Sequence, residues 1–177
     1  PLPPPPSMPS PLPSPPPPSP PITETRATTL AELTNALASA SYGRVLLAPG
    51  TYLLTGQLNV NHAVQVVAEV PGTVVLDARN IDVGHMLRIQ PGNCVDSSCV
   101  VALTGLNLTS GLAQEASSGK QKGALLISSG KVTVSHCHFY ENTQHSGAGA
   151  YLVGEVYATF ESCTFFDNHG KALHVNC

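Results

Sequence analysis

From Arg44 onward, apolar and polar residues alternate in short runs, and Gly, Pro, Asn or Asp cuts each run after three to five residues. Side chains on a strand point to opposite faces in turn, so this alternation predicts half-buried strands separated by tight bends. The predicted strands are 44–48, 57–60, 64–68, 73–77, 85–89, 100–103, 106–108, 124–127, 132–134, 137–139, 150–153, 157–160, 163–165 and 172–175. Pro49-Gly50-Thr51-Tyr52 reads as a turn after the first of them. One segment breaks the pattern. Residues 28–41 place Leu30, Leu33 and Leu37 at helical spacing, and Thr29 with Glu32 forms a capping box. A short amphipathic helix at this point is expected to cover the open end of a strand stack.

The final quarter repeats. Setting Val134 over Phe160 brings Cys137 onto Cys163, Phe139 onto Phe165 and Asn142 onto Asn168, a period of 26 residues. A repeat of this length is the signature of a solenoid, whose units bury their apolar faces only by stacking. The predicted fold is all-β: a right-handed parallel β-helix with an N-terminal capping helix and an N-terminal polyproline II arm. Roughly five to six coils fit the globular length at this period. The domains expected are an arm at 1–22, a linker and capping helix at 23–43, and a β-helix at 44–177 that continues beyond residue 177. The chain opens on Pro1 without an apolar leader, as expected of a mature or internal segment.

Composition separates the arm from the rest. Fourteen of the 17 prolines fall within Pro1–Pro21. Proline fixes φ and removes the amide donor, so this tract is predicted to run as polyproline II, extending roughly 65 Å. Charged residues make up only 11% of the chain and the net charge is −3. Lys120, Lys122 and Lys131 are the one basic cluster, which excludes an electrostatic footprint for nucleic acid. No apolar run reaches the length of a membrane-spanning helix. A surface so poor in charge is expected to be covered by hydroxyl side chains, by sugar or by neighbouring subunits.

The runs Ser10-Pro11, Ser14-Pro15-Pro16-Pro17-Pro18 and Ser19-Pro20-Pro21 resemble the hydroxyproline-rich glycoproteins of plant and green-algal cell walls. The resemblance implies hydroxylation and O-glycosylation at Pro4, Pro5, Pro6, Pro9, Pro11, Pro13, Pro15, Pro16, Pro17, Pro18, Pro20 and Pro21, and sugar on Ser10, Ser14 and Ser19. The segment around Pro49-Gly50-Thr51-Tyr52 resembles the entry coil of pectate-lyase-like β-helix proteins. Phe139-Tyr140-Glu141-Asn142 and Phe165-Phe166-Asp167-Asn168 resemble the Phe-x-x-Asn motif of the chlamydial polymorphic outer-membrane proteins and related adhesins. Gly123-Ala124-Leu125, Gly147-Ala148-Gly149-Ala150-Tyr151 and Gly170-Lys171-Ala172-Leu173 approximate that family's Gly-Gly-Ala-Ile motif. This third resemblance implies coil geometry: the Phe stacks in the core, and the Asn bonds backbone at the bend and tolerates left-handed backbone.

Few residues suggest chemistry. Glu141 and Asp167 stack one coil apart, as solvated turn residues or as a carboxylate pair. Asp77 and Arg79 read as a surface ion pair of little energetic weight. His136 and His138 flank Cys137 on one predicted outward face, but the next coil offers Ser162 and Thr164, so no third metal ligand is in reach. Cys94 and Cys99 bracket a loop that a disulfide can close, whereas Cys137 and Cys163 form either a disulfide or a ladder of small buried side chains. Cys177 is left over, for a pairing outside this segment. Asn107-Leu108-Thr109 is an N-glycosylation sequon with Asn107 facing outward, and 112–122 is a polar insertion suited to contact.

No catalytic residue, cofactor or metal is expected from this pattern. The function expected is that of a non-catalytic structural extracellular glycoprotein assembling with copies of itself into a fibre, wall or matrix layer. The arm of one subunit would lie along the next. The alternative is a carbohydrate-active enzyme, of pectate-lyase or polygalacturonase type, or a carbohydrate-binding module on a Pro-rich linker. That reading needs converging acidic residues, and Glu69, Asp77, Asp82, Asp96, Glu115, Glu155 and Glu161 are scattered instead.

Overall fold

The computed structural model of the chain describes residue 1 and residues 22–81, 85–91, 100–111, 123–143 and 148–176. The chain is mostly strand with one helix. In order the elements are β1 (Glu24–Ala27), α1 (Leu30–Ala38), β2 (Arg44–Leu47), β3 (Gly50–Leu53), β4 (Leu58–Val60), β5 (Gln65–Ala68), β6 (Val74–Asp77), β7 (Leu87–Ile89) and β8 (Val100–Thr104). There follow β9 (Leu106–Thr109), β10 (Leu125–Ile127), β11 (Gly130–Ser135), β12 (His138–Tyr140), β13 (Ala150–Val153), β14 (Val156–Glu161), β15 (Thr164–Phe166) and β16 (Leu173–Asn176).

These strands form three parallel sheets, visited in fixed rotation. The first holds β1-β2-β5-β8-β11-β14, the second β3-β6-β9-β12-β15 and the third β4-β7-β10-β13-β16. Each passage through all three is one circuit, and five are complete among the described residues, from β2-β3-β4 to β14-β15-β16. Register follows the sequence repeat: Val134 pairs with Phe160 and Phe139 with Phe165. Alternate residues on every strand turn inward. Val45, Val66, Leu103 and Val134 form one buried column, Tyr52, Leu76, Leu108 and Phe139 a second, and Val60, Ile89 and Ile127 a third.

The capping box of α1 forms as the sequence predicts. Thr29 accepts from the Glu32 amide at 3.2 Å, and the Glu32 carboxylate accepts from the Thr29 amide at 3.2 Å and the Thr28 amide at 2.7 Å. Leu33, Ala36 and Leu37 are buried as the helix packs on β1, β2 and β4. That end of the core is therefore covered.

Two strands were not expected. β1 lies in the stretch read as linker, and its charged sequence lacks a strand pattern. It is ordered by parallel pairing with β2, and the Arg26 guanidinium bonds the Glu69 carboxylate two strands away. β3 replaces the turn expected at 49–52. It turns one residue inward, Tyr52, whose hydroxyl lies 2.8 Å from the Ala27 carbonyl and 3.0 Å from that of Ala48. The strand predicted at 137–139 begins one residue later, because His136 (φ 54°) and Cys137 make the corner between two sheets.

Candidate functional site

The corners are set by a repeated conformation. Gly105, His136 and Ser162 occupy equivalent places between the first and second sheets, with φ of 73°, 54° and 52°. Ser110, Glu141 and Asp167 occupy equivalent places after the second sheet, at 61°, 54° and 50°. A left-handed residue redirects the strand sharply, at a cost of about 1–2 kcal/mol when it has a Cβ. The left-handed residue at the second corner is thus Glu141 or Asp167, not the Asn that follows, which corrects the role expected of Asn142 and Asn168. Both carboxylates are exposed on corner residues.

Behind this corner stands a ladder. Asn142 is fully buried. Its Oδ1 accepts from the Gly111 amide at 3.0 Å, and its Nδ2 donates to the Leu108 carbonyl at 3.0 Å, both on the circuit beneath. One circuit on, Asn168 repeats the pattern: its Oδ1 accepts from the Asn142 amide at 3.1 Å and its Nδ2 donates to the Phe139 carbonyl at 2.7 Å. The Asn142 Nδ2 also reaches Asn168 Oδ1 at 3.1 Å. Each asparagine so ties its own circuit to the previous one, satisfying backbone groups that a corner leaves unpaired. Beside the ladder, the Phe139 and Phe165 rings stack at 4.7 Å and an interplanar angle of 6°, with Phe160 edge-on to Phe139. Tyr140 stacks on Phe166 outside, at 5.0 Å. A Cβ on Gly149 would come within 2.5 Å of the Phe165 ring, so the glycine of that motif makes room for the aromatic column.

The last described circuit is less covered than the others. The inward-column residues Leu173 and Val175 are 43% and 53% exposed, although their equivalents Leu125 and Ile127 are fully buried. Phe160, Cys163 and Phe165 are only partly covered. The candidate functional feature is the ladder with its aromatic column, which bonds and stacks one circuit on the next.

The remaining predicted site residues scatter. Cys137 and Cys163 are free thiols in equivalent positions, the Cys137 thiol directed to the Leu103 and Ser135 carbonyls and the Cys163 thiol to those of Val134 and Glu161. The ladder alternative holds for them, not the disulfide. Burial pushes the Cys137 thiol up to about 12. His136 is exposed at the corner while His138 lies on β12, so the two straddle a bend instead of sharing a strand face. No group of three metal-ligating side chains occurs among the described residues. Asn107 faces outward on β9 as expected, its Nδ2 donating to the Gly72 carbonyl at 2.7 Å, with Leu108 and Thr109 of the sequon buried. Cys94, Cys99, Cys177, residues 112–122 and the Pro and Ser positions from Pro4 to Pro21 lie outside the described residues.

Asp77 overturns the expectation of a surface pair. It is 1% exposed and accepts from the Arg79 amide at 3.0 Å and its Nε at 2.7 Å. Burial pushes its carboxyl up, but the Arg79 side-chain and backbone donors, the Arg79 charge and the Ser110 hydroxyl outweigh that and hold it below the usual range. Sequence reasoning also missed His85, which is 5% exposed and stacks on Tyr151 at 6.2 Å, while His174 on the adjacent β16 lies against Tyr151 at 5.2 Å. Only the His85 and Tyr151 residue types were visible beforehand; their meeting depends on the stacking of circuits. A comparison with family models found no match, and none was found among curated proteins or solved structures.

Proposed function

We propose that the three stacked sheets are the faces of a right-handed parallel β-helix, and that it serves as a non-catalytic structural module of an extracellular glycoprotein. In this reading the Pro-rich arm bears O-linked sugar, and the module joins copies of itself into a fibre, wall or matrix layer. The single observation that carries the reading is the side-chain ladder of Asn142 and Asn168 beside the Phe139 and Phe165 stack, by which the repeated residues tie one circuit to the next. The SPPPP element, the sequon at Asn107 and the 11% charge support a secreted, sugar-bearing setting. The test is expression of the full chain through a plant or algal secretory pathway, followed by intact-mass analysis and sedimentation velocity. Hydroxyproline-linked pentose or hexose together with concentration-dependent assembly is expected. A bare, monomeric product that shortens an acidic polysaccharide would overturn the reading.

A further inference from the structure

We propose that Asn107 takes an N-linked oligosaccharide only while β9 is unpaired, so that folding and glycosylation compete for the same segment and the completed stack is not an acceptor. This deepens the sugar-bearing reading above and rests on it. Asn107-Leu108-Thr109 is the one Asn-x-Ser/Thr sequence in the chain. The transfer joins Asn107 Nδ2 to the anomeric carbon of an oligosaccharide carried on a polyprenyl diphosphate. The new C–N bond replaces the anomeric C–O bond, the lipid diphosphate leaves with the bonding pair, and one amide proton passes to a base of the transferase. The asparagine and the Ser/Thr two residues on are recognised together, so the whole triplet has to leave the sheet to be modified.

In the folded chain the triplet is held at all three residues. β9 is an interior strand, paired in parallel with β6 on one side and β12 on the other. Leu108 is fully buried between Leu76 and Phe139, and its carbonyl accepts from Asn142 Nδ2 at 3.0 Å. Thr109 is 4% exposed, and its carbonyl accepts from the Ala78 amide at 3.1 Å. Asn107 Nδ2, the atom to be modified, already donates to the Gly72 carbonyl at 2.7 Å. Releasing the triplet breaks both pairings, pulls Leu108 from the core and strips Asn142 of a partner. That is unfolding of the middle of the stack, not fraying of an edge. The segment is therefore available only until His138–Tyr140 have been made and have paired with it.

The finished fold is nevertheless compatible with the product. Asn107 turns outward, and its partners across the sheet are the outward-facing Val75 and His138. A glycosylated asparagine amide keeps one N–H, so the bond to Gly72 can persist with sugar attached.

The test mixes the full chain with detergent-solubilised microsomes and their lipid-linked donor, so that folded and unfolded protein meet the same transferase with no membrane between them. Chain diluted from urea into the mixture is expected to gain one glycan, removed by peptide N-glycosidase and absent from Asn107→Gln. Chain refolded beforehand is expected to gain at least tenfold less. An Asn-Ala-Thr tag added after Cys177 is modified alike in both states and verifies that folded protein reaches the enzyme. Equal modification of the refolded and the diluted chain at Asn107 overturns the proposal, and so does an Asn107 left bare in both. A glycosylated chain whose urea midpoint falls below that of the bare chain overturns the compatibility of sugar with the stack. Sugar on hydroxyproline in residues 1–22 beside a bare Asn107 keeps the structural reading and removes this site, so the two fail separately.

Discussion

Asn168 Oδ1 accepts two hydrogen bonds from one residue, the backbone amide and the side-chain Nδ2 of Asn142, both at 3.1 Å. The side chain of one circuit so fixes both the main chain and the side chain of the circuit beneath. Because Asn142 is fully buried and bonded on every side, truncating it strands the Gly111 amide and the Leu108 carbonyl at once. Asn142→Ala is expected to cost about 2–4 kcal/mol, and Asn168→Ala, at the less covered end, about half of that. Urea unfolding followed by circular dichroism measures both; equal costs would show that the ladder does not strengthen toward the interior.

The left-handed corners make an opposite prediction. Glu141 is exposed at φ 54°, and its carboxylate makes no hydrogen bond among the described residues. Glu141→Gly should relieve the Cβ strain and raise stability by about 0.5–1 kcal/mol after the added backbone entropy of the unfolded chain is subtracted. A lower urea midpoint would show that the carboxylate has a role that the corner alone does not explain.

Acid sensitivity should centre on His85. Burial, with Arg88 nearby, pushes its imidazolium pKa down from 6.5 to about 4. The unfolded chain then binds a proton below pH about 6.5 that the folded chain refuses until about 4, so stability is complete above the first value and falls as pH drops toward the second. The loss by pH 4 is about 3 kcal/mol at most. His85→Phe keeps a ring against Tyr151 and should flatten the stability profile across this window. A profile unchanged by the substitution would assign the acid loss elsewhere, for instance to Asp77, whose carboxyl burial pushes up but the Arg79 donors hold below the usual range.

The two stacked thiols should differ in reactivity. Cys137 is fully buried, with its thiol pushed up to about 12, whereas Cys163 sits in the last described circuit and is partly covered. Alkylation of the native chain at pH 8 should label Cys163 well before Cys137, as read by peptide mass. Cys137 reacting as fast as Cys163 would mean that the last circuit opens readily.

The strand and bend pattern is largely legible in the sequence because each strand turns apolar residues inward, and the 26-residue repeat alone sets Phe139 over Phe165. The elements that escaped were those whose order comes from a neighbour. β1 has no apolar alternation and exists by pairing with β2, while β3 hides behind a Pro-Gly turn signal and is held by pairing with β6 and by the one inward side chain, Tyr52. The asparagines were identified from the repeat, but their conformation was misassigned to them instead of to Glu141 and Asp167. Asp77 and His85 were illegible for a shared reason: whether an outward side chain is covered depends on circuits 30 or more residues away in sequence, which local pattern does not encode.

The corners also determine where such a molecule can vary. Between the first and second sheets the turn at Gly105, His136 and Ser162 is pinned by a left-handed residue followed by an inward Leu106, Cys137 or Cys163. Between the second and third sheets the connections are residues 54–57, 78–86, 110–124, 141–149 and 167–172, of unequal length in successive circuits. Insertions are therefore tolerated along one edge of the stack and resisted along another. The second-to-third connection is longer than the first-to-second one in every circuit, and residues 90–99 lengthen the third-to-first edge, so new recognition loops, whether from evolution or from grafting, would be written on those two margins and away from the first-to-second corner.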